Sequence, residues 1–591
     1  MPDGARLATD LCLPERTAAG RGVVPAVLIR TPYDRRRHRA ELRAWAARGY
    51  AALAQDVRGR YASEGAWRPY EREEDDGAAA IRWVRAQAWS DGRVLACGAS
   101  YAAYCALTTA LSEDANADER PDAVIAAVPA LGLAETAREP TGPERLWART
   151  GWWAAHGDRP DSDEGALDAA LARDPNLLAH LPVTDVPTRL GRDLPSWPDV
   201  WRECRRDRLV LRAERARVPL LAVGGHRDPF AADTVALWRR WGGPARLLMG
   251  PWGHRLVTPG SSELPIGIGA LYDLWARAAL PGGAAGAGAG RTLRGRRGAV
   301  AVAGTERIGR AGGSDGAGGT DRAARAGETA RTARTARTAR TTPTARTGET
   351  DGTGRTGEAT RTAPTGETDG TPRTDETHDT GRPGQWVAAA PLAEAGPVTE
   401  YPFGERGGPR VVHGADFVAD PDRPVRSDDL AVPVPGPGEA ADRCLMVTPP
   451  LPRPLDLFGD AAVRFRAVAS TPCADWAVRV IALDPAGHAT PLAIGITRRA
   501  DPAGEEARVT VRLGCLARRL PAGTRLRVEI AGHHFPAHAR NPHTGEDPVT
   551  ATRLLPSRRT VLMAGGALLL PVVPPRAFAA GAVDPVQEIC R

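Results

Sequence analysis

A long stretch without large apolar side chains divides this chain into regions that have to fold separately. From Gly309 to Gln385 the sequence contains no Val, Ile, Leu, Met, Phe, Trp or Tyr, and the tripeptide Ala-Arg-Thr recurs within Arg331–Arg340. Ordering one residue costs about 1–2 kcal/mol of backbone entropy, which such a segment cannot recover by burying apolar surface. We therefore predict a disordered linker at 309–385, with folded domains on both sides of it.

Before this linker, short apolar runs alternate with helical patterns. The predicted strands are Arg6–Leu13, Val24–Arg30, Tyr50–Asp56, Val94–Gly98, Ala123–Pro129, Val218–Gly224 and Arg246–Gly250, and the main predicted helices are Glu41–Arg48, Glu71–Ala86 and Ala231–Trp241. This alternation is typical of a buried, mostly parallel sheet covered by helices. We assign residues 1–130 and 218–282 to one α/β domain, interrupted by a helical insertion at 131–217.

The insertion is rich in Ala, Leu, Arg and Trp, and it contains three tryptophans close together, Trp147, Trp152 and Trp153. Two interpretations of these tryptophans remain open. They pack the core of the insertion, or some of them line a substrate pocket together with Trp252 of the second half of the domain.

After the linker the pattern becomes all-β. The predicted strands are Ala461–Val468, Trp476–Leu483, Pro491–Thr497, Ala507–Leu513 and Arg525–Ala531, separated by turns rich in Pro, Gly and Asp. We predict a β-sandwich or jelly roll at 386–577. Its last part, Ser557–Leu562 followed by an apolar run, resembles a twin-arginine signal, but that run is too short to span a membrane and we interpret it as two closing strands.

Composition excludes several classes of function. All 78 of the strongly basic residues are Arg, so a Schiff-base lysine and the lysine of a Walker phosphate loop are both missing. The net charge of +7 is spread over a chain with 71 acidic residues and predicts no nucleic-acid surface. The eight cysteines form no C-x-x-C pair, which favours free thiols in a reducing compartment over disulfides or a metal cluster.

Ser100 lies where a nucleophile is expected. The apolar run Val94–Cys97 leads through Gly98 and Ala99 to Ser100, and a helical pattern begins at Tyr101. A strand, a sharp turn around a central Ser, and a helix form a nucleophile elbow, which requires small neighbours because strand and helix pass close together. The motif reads G-x-S-x-A, with Ala102 in place of the usual second Gly.

An Asp and a His follow the next two predicted strands. Asp228 comes after Val218–Gly224, and His254 comes after Arg246–Gly250. The carboxyl ends of successive strands, in the chain order Ser, Asp, His, are where an α/β-hydrolase holds the orienting acid and the base of its triad. His226 is an alternative base, although its position two residues before Asp228 makes pairing awkward.

Together these motifs resemble those of the cocaine-esterase and X-prolyl dipeptidyl-peptidase-like hydrolases. The matching segments are Asp3–Asp10, Arg30–Asp34, Gln55–Arg60, Ser63–Gly65, Gly98–Tyr101, Asp228–Phe230, Gly250–His254, Asn541–Gly545 and Leu568–Val573. The resemblance implies an α/β-hydrolase domain with an inserted helical cap after its sixth strand, plus an all-β jelly-roll C-terminal domain. It also implies that the Tyr33 hydroxyl and the Tyr101 backbone N–H form the oxyanion hole. The chain departs from the family pattern at Ala103, where a Gly is usual.

The sequence therefore predicts a serine hydrolase that cleaves an ester or amide bond with Ser100, His254 and Asp228, without metal or cofactor. An X-Pro dipeptidyl-peptidase, an acyltransferase on the same fold and a non-catalytic glycan-binding protein remain alternatives. A dipeptidyl-peptidase needs a carboxylate for the substrate ammonium, and Asp161, Asp163 and Glu164 of the insertion are candidates. We expect a small-molecule or peptide acyl substrate, no nucleic-acid or membrane partner, and a cytoplasmic location; a homodimer is left open.

Overall fold

The computed structural model describes residues 1–20, 22–256, 267–282, 293–302, 385–389, 398–431, 436, 438–574 and 582–591. The predicted linker at 309–385 lies outside the described residues except for Gln385. The elements below all belong to one compact unit.

A nine-stranded sheet forms the centre of the first domain. Its strands are β1 (Thr9–Cys12), β2 (Val24–Thr31), β3 (Ala51–Asp56), β4 (Ser90–Ala99), β5 (Ala123–Ala127), β6 (Leu220–Gly225), β7 (Ala245–Gly250), β8 (Arg296–Val302) and β9 (Gln385–Ala388). Their spatial order is β1-β3-β2-β4-β5-β6-β7-β8-β9, with β2 to β8 parallel and the two edge strands antiparallel. The run Val24–Ile29 of β2 is apolar without alternation because a parallel strand is buried on both faces.

The helices follow the same alternation. They are α1 (Glu15–Ala18), α2 (Arg39–Ala47), α3 (Glu73–Arg85), α4 (Tyr101–Ala110), α5 (Leu133–Ala137), α6 (Leu146–His156), α7 (Ala166–Arg173), α8 (Val186–Leu190), α9 (Trp197–Arg202), α10 (Arg208–Arg212), α11 (Ala231–Arg240), α12 (Ile268–Ala279) and α13 (Pro585–Cys590). Four acidic residues occupy the first turn of α3 and Arg82 and Arg85 its last turn, which suits the helix dipole. None of the described helices is long and apolar enough to cross a membrane.

Helices α5 to α10 form the cap between β5 and β6. The resemblance implied a cap after the sixth strand. In the structure the cap instead follows β5, the fifth strand along the chain. Its core is built around Trp153, Trp197 and Trp201, which are almost fully buried.

The end of the first domain differs from the sequence prediction. The sheet does not stop at 282, because β8 extends it beyond β7. Trp386, predicted to begin the jelly roll, lies in β9 and pairs with Ala301 of β8. The chain also returns after the β domain, since Ile589 of α13 is buried in the core beneath the first sheet. Because a long insertion separates β8 from β9 in the sequence, no local pattern predicts that they pair.

The second domain is a jelly-roll-like sandwich of two antiparallel sheets. Its strands are β10 (Thr399–Pro402), β11 (Arg410–His413), β12 (Asp416–Ala419), β13 (Arg443–Val447), β14 (Leu455–Ala469), β15 (Cys473–Leu483), β16 (Ala489–Ala500), β17 (Glu506–Leu520), β18 (Arg525–Ala531) and β19 (Ser557–Leu570). One sheet has the order β10-β19-β14-β17 with β12 beside β19, and the other has the order β11-β13-β18-β15-β16. Ser557–Leu570 is one strand with a shift of register against β14, and not the two strands predicted.

The jelly roll contacts the cap through both apolar and charged side chains. Phe535, Ala539 and Val549 complete the core of the cap. Arg498 of β16 donates two hydrogen bonds of 2.8 Å to Glu144 of the cap and also binds Asp475 of β15. The β domain thereby supports the cap segment that leads into α6.

Candidate active site

Ser100 lies in a strained turn between β4 and α4. Its backbone has φ 58° and ψ −122°, a conformation that residues other than Gly rarely adopt. The turn is held by a hydrogen bond of 2.9 Å from the Ser100 N–H to the Ala127 carbonyl. A Cβ atom on Gly98 would lie 2.5 Å from the backbone of Ala102, so this position requires glycine. The predicted elbow is thus present, and Ala103 fits in it without exposure.

The loops that carry Asp228 and His254 are fixed to each other. The His226 N–H donates to the Gly250 carbonyl at 2.9 Å, and the Arg227 N–H donates to the Trp252 carbonyl at 3.0 Å. A side chain at Gly225 would collide with that Trp252 carbonyl. The two loops follow adjacent parallel strands, β6 and β7, so their side chains meet at the carboxyl edge of the sheet.

These three elements bring Ser100, His254 and Asp228 into one line of hydrogen bonds. His254 Nε2 is 2.9 Å from Ser100 Oγ, and His254 Nδ1 is 2.8 Å from Asp228 Oδ1. The Asp228 side chain is fully buried, whereas the His254 side chain is 39% exposed. A buried carboxylate that accepts from Nδ1 leaves Nε2 free to accept the serine proton.

His226, the alternative base, points elsewhere. Its Nε2 lies 3.1 Å from the Ala301 carbonyl of β8. Burial lowers its pKa to about 4, so the ring stays neutral and structural at ordinary pH. The geometry brings His254, and not His226, to Ser100.

Tyr33 lies directly beside the serine. Its hydroxyl is 3.5 Å from Ser100 Oγ and accepts a hydrogen bond of 3.2 Å from Trp152 Nε1. Burial raises the pKa of Tyr33, against the opposing effect of Ser100, Trp152, Arg149 and the Tyr101 backbone. The phenol is therefore neutral and can donate its proton, and it lies within reach of the Tyr101 backbone.

Two buried side chains, those of Arg60 and Tyr101, hold the backbone around this predicted donor pair through hydrogen bonds. Arg60, which has no exposed surface, donates to the Pro32 carbonyl at 2.9 Å and to the Asp161 carbonyl at 2.7 Å, and so joins the Tyr33 loop to the cap. The Tyr101 hydroxyl donates to the buried carboxylate of Glu73 and accepts from the Tyr70 N–H at 2.6 Å.

The four candidate pocket tryptophans have different positions. Trp152 is partly buried and lies at the site, where its ring stacks on that of Tyr101 at 6.0 Å. Trp153 is 2% exposed in the core of the cap and donates to Ser196. Trp147 packs against the same core, and Trp252 is buried beneath the sheet beside Trp386. The structure brings only Trp152 of these four into contact with the predicted oxyanion residues.

Sequence reasoning missed four residues of α6 and its surroundings. His156 packs edge-to-face on Tyr33 at 5.1 Å, and Phe230 packs on His254 at 5.4 Å. The guanidinium of Arg145 lies 5.5 Å from the centre of the Phe230 ring, and that of Arg149 lies 5.0 Å from the centre of the Trp152 ring. The spacing 145, 149, 152, 156 is the one signal that was available, because residues at this spacing share a helix face.

Two family models match the chain. The model for the X-Pro dipeptidyl-peptidase (S15 family) matches residues 3–255. The model for the X-Pro dipeptidyl-peptidase C-terminal non-catalytic domain matches residues 324–567. The first match covers the elbow, both loops and the cap, and the second covers the β-sandwich.

Individual relatives agree with these matches. Cocaine esterase from Rhodococcus sp. (strain MB1 Bresler) is 30% identical over 309 residues, which is 46% of this chain and 51% of the esterase. The chain thus aligns with about half the length of this curated relative. An α-amino acid ester hydrolase has a similar fold, with a TM-score of 0.65 and 19% identity over 97% of this chain and 95% of its own. An aminopeptidase from a marine sediment archaeon, Thaumarchaeota archaeon, gives a TM-score of 0.64 and 17% identity over 97% and 94% of the two chains.

Proposed function

We propose that this chain, as a member of the X-Pro dipeptidyl-peptidase (S15) family, hydrolyses ester or amide bonds through an acyl-enzyme on Ser100. One observation carries the proposal. Ser100, His254 and Asp228 form an unbroken line of hydrogen bonds of 2.9 and 2.8 Å, on a strained turn that holds the serine at the carboxyl edge of the sheet.

In this proposal His254 removes the proton of Ser100 as the serine oxygen attacks the substrate carbonyl. Asp228 keeps the imidazole in the required tautomer and stabilises its cation. The tetrahedral oxyanion receives hydrogen bonds from the Tyr33 hydroxyl and the Tyr101 backbone N–H. His254 then protonates the leaving alcohol or amine, and the same base activates the water that releases the acid.

Within this class the surroundings of the site favour an esterase or acylase. Asp161 and Glu164 are exposed and Asp163 is half-buried, and the three form ion pairs with Arg159, Arg37 and Arg192, respectively. None of the three is therefore a free carboxylate for a substrate ammonium.

Glu139 lies nearer to the site, but its charge is already neutralised. It binds Arg145 through both carboxylate oxygens, at 2.9 and 2.8 Å, and it also contacts His538 at 2.9 Å. Although burial acts to raise it, the positive charge of Arg145 and the contact with His538 hold the pKa of Glu139 well below its ordinary value. An X-Pro dipeptidyl-peptidase would need this carboxylate to change partners.

Substrate kinetics distinguish the alternatives. The proposal predicts turnover of 4-nitrophenyl butyrate with a kcat/KM at least about tenfold above that of an X-Pro 4-nitroanilide. The reverse preference would make the chain a dipeptidyl-peptidase. Added hydroxylamine or alcohol tests acyl transfer, because a transferase would divert most of the acyl group away from water.

Labelling with a fluorophosphonate tests the proposed nucleophile itself. We expect the label on the peptide that contains Ser100, its loss in Ser100→Ala, and normal labelling of Ser90→Ala, a control at the opposite end of β4. Failure of the parent protein to react would support a non-catalytic role.

The eight free cysteines support our proposal of a reducing, cytoplasmic location.

A further inference from the structure

One face of α6 lies over the candidate site. Arg149, Trp152 and His156 are spaced three and four residues apart and so share one face of α6, and Arg145 is the N-cap residue one turn before Arg149. At one end, Arg145 contacts Phe230, which packs on His254. At the other end, Trp152 and His156 contact Tyr33. Arg149 lies between these two ends in the chain, and its guanidinium lies 5.0 Å from the centre of the Trp152 ring.

Arg149 is a buried cation that pairs with none of the described carboxylates. It is 4% exposed, and it forms no salt bridge with any described carboxylate, whereas Arg145 is paired with Glu139. Its Nη1 donates to the Thr136 hydroxyl, and it also binds the hydroxyl of Tyr70. Burial lowers the pKa of Arg149, and the Tyr70 hydroxyl only partly opposes this effect. A charge held in this state is costly unless something else neutralises it.

Both arginines of this face also have N–H groups without partners. Nε of Arg149 and Nη1 of Arg145 are buried and have no hydrogen-bond acceptor among the described residues. Arg145 is 7% exposed, so neither group is open to bulk water. Two unsatisfied guanidinium donors one helical turn apart fit the two oxygens of a carboxylate.

We propose that the substrate carries a carboxylate in its acyl part, which Arg149 and Arg145 bind while Ser100 attacks the ester or amide carbonyl. This inference rests on the proposed function. The proposed substrates are therefore half-esters or half-amides of dicarboxylic acids. In such a complex the substrate supplies the negative charge that Arg149 lacks, and Glu139 continues to balance Arg145.

The test compares three 4-nitrophenyl esters of equal chain length. They are the adipate monoester, which carries a carboxylate, the heptanoate ester, which is neutral, and the 6-aminohexanoate ester, which carries an ammonium. We expect kcat/KM of the full-length parent enzyme to be about 10- to 100-fold higher for the adipate ester than for the heptanoate ester at low salt. The 6-aminohexanoate ester should be the poorest of the three. Equal rates for all three esters would overturn the inference.

Variants assign the preference to the two arginines. Arg149→Met should reduce the ratio of adipate to heptanoate kcat/KM by at least about tenfold, and Arg149→Lys should restore part of it, since a single charge remains. Arg202→Met, which removes an exposed charge elsewhere on the cap, should leave the ratio unchanged. An unchanged ratio in Arg149→Met would show that this arginine is only a packing element.

Failure of the inference can be told apart from failure of the proposed function. If Ser100 reacts with a fluorophosphonate and the heptanoate ester is cleaved, but the adipate ester is not preferred, only the carboxylate site is wrong. If the fluorophosphonate does not phosphonylate Ser100 and the heptanoate ester does not acylate it, the proposed function itself fails. If Arg149→Met does not fold, the preference of the parent enzyme among the three esters still decides the question.

Discussion

The hydroxyl of Tyr33 lies 3.5 Å from Ser100 Oγ and accepts a hydrogen bond from Trp152 of the cap at 3.2 Å. This contact orients the phenol from one side, so its own proton can point to the place where an oxyanion would form. It links the α/β domain and the cap at the reacting centre. The cap therefore helps to position the proposed oxyanion hole.

Tyr33→Phe should lower kcat by about 10²–10³-fold, because one oxyanion donor is lost while the ring and its packing remain. KM should change little, since a ground-state carbonyl is bound less strongly than the oxyanion. The measurement is steady-state kinetics on a neutral aryl ester, with Tyr401→Phe in the jelly roll as control. A kcat within about threefold of the parent would remove Tyr33 from the oxyanion hole.

Arg498→Met should destabilise the protein by about 3–5 kcal/mol, because it leaves two buried carboxylates, Glu144 and Asp475, without this partner. The neighbouring Arg499→Met is the matched control, since Arg499 is half-exposed and pairs with Asp501 at the surface. The urea midpoints of the two variants give the comparison. Equal midpoints would mean that the contact between cap and jelly roll does not depend on Arg498.

Glu135 should make stability depend on pH. Burial raises its pKa to about 7 from an ordinary 4.5, although Arg206 and the Asp207 N–H oppose the shift. The folded state therefore holds a proton that the unfolded state releases between these values. The stabilisation is complete below about pH 4.5 and is lost as pH rises to about 7, a change on the order of 3 kcal/mol.

Glu135→Gln, whose side-chain oxygen can still accept from the Asp207 N–H, should remove this dependence. We expect the curve of urea midpoint against pH to be flatter for Glu135→Gln than for the parent between pH 4.5 and 7. Glu164→Gln, at an exposed position, should follow the parent curve. Parallel curves for Glu135→Gln and the parent would show that this carboxyl does not titrate in that range.

The insertion between β8 and β9 should be dispensable for folding and turnover. Val302 and Gln385 are partners across the antiparallel pair, so an Asn-Gly turn can replace residues 303–384. The composition of this segment predicts no folded core, and loop length costs little entropy. We expect a melting temperature within a few degrees, and a kcat/KM within about twofold, of the parent. A large loss of activity, absent when the segment is instead scrambled, would show that its length matters.

Local patterns predicted much of the fold and the centre of the site. The apolar runs around β2 to β7 placed the parallel sheet, and the strand–turn–helix pattern placed Ser100. Chain order and strand ends were enough to pair His254 with Asp228, because parallel strands present their carboxyl ends at one edge. These features depend on spacing within a few residues or on a general rule of topology.

The remaining features depend on contacts between distant parts of the chain. The pairing of β9 with β8 crosses the long insertion, so no local pattern could assign Trp386 to the first domain. Trp252 was predicted as a candidate pocket residue, yet its ring folds over Gly250, where a Cβ would lie 2.4 Å away. Arg149 could not be singled out from the sequence, because the lack of a carboxylate partner among the described residues is visible only in the folded cap.

The proposed acyl-enzyme of Ser100 can be observed directly. The parent enzyme is mixed with a large excess of a 4-nitrophenyl ester, quenched in acid within the first turnovers, and analysed by intact mass and peptide mapping. We expect one added acyl group on the peptide that contains Ser100. We expect no adduct on Ser100→Ala, and acylation slowed by about 10⁴-fold or more in His254→Ala. An acyl group on another residue, or undiminished turnover by Ser100→Ala, would contradict the assignment of Ser100 as nucleophile.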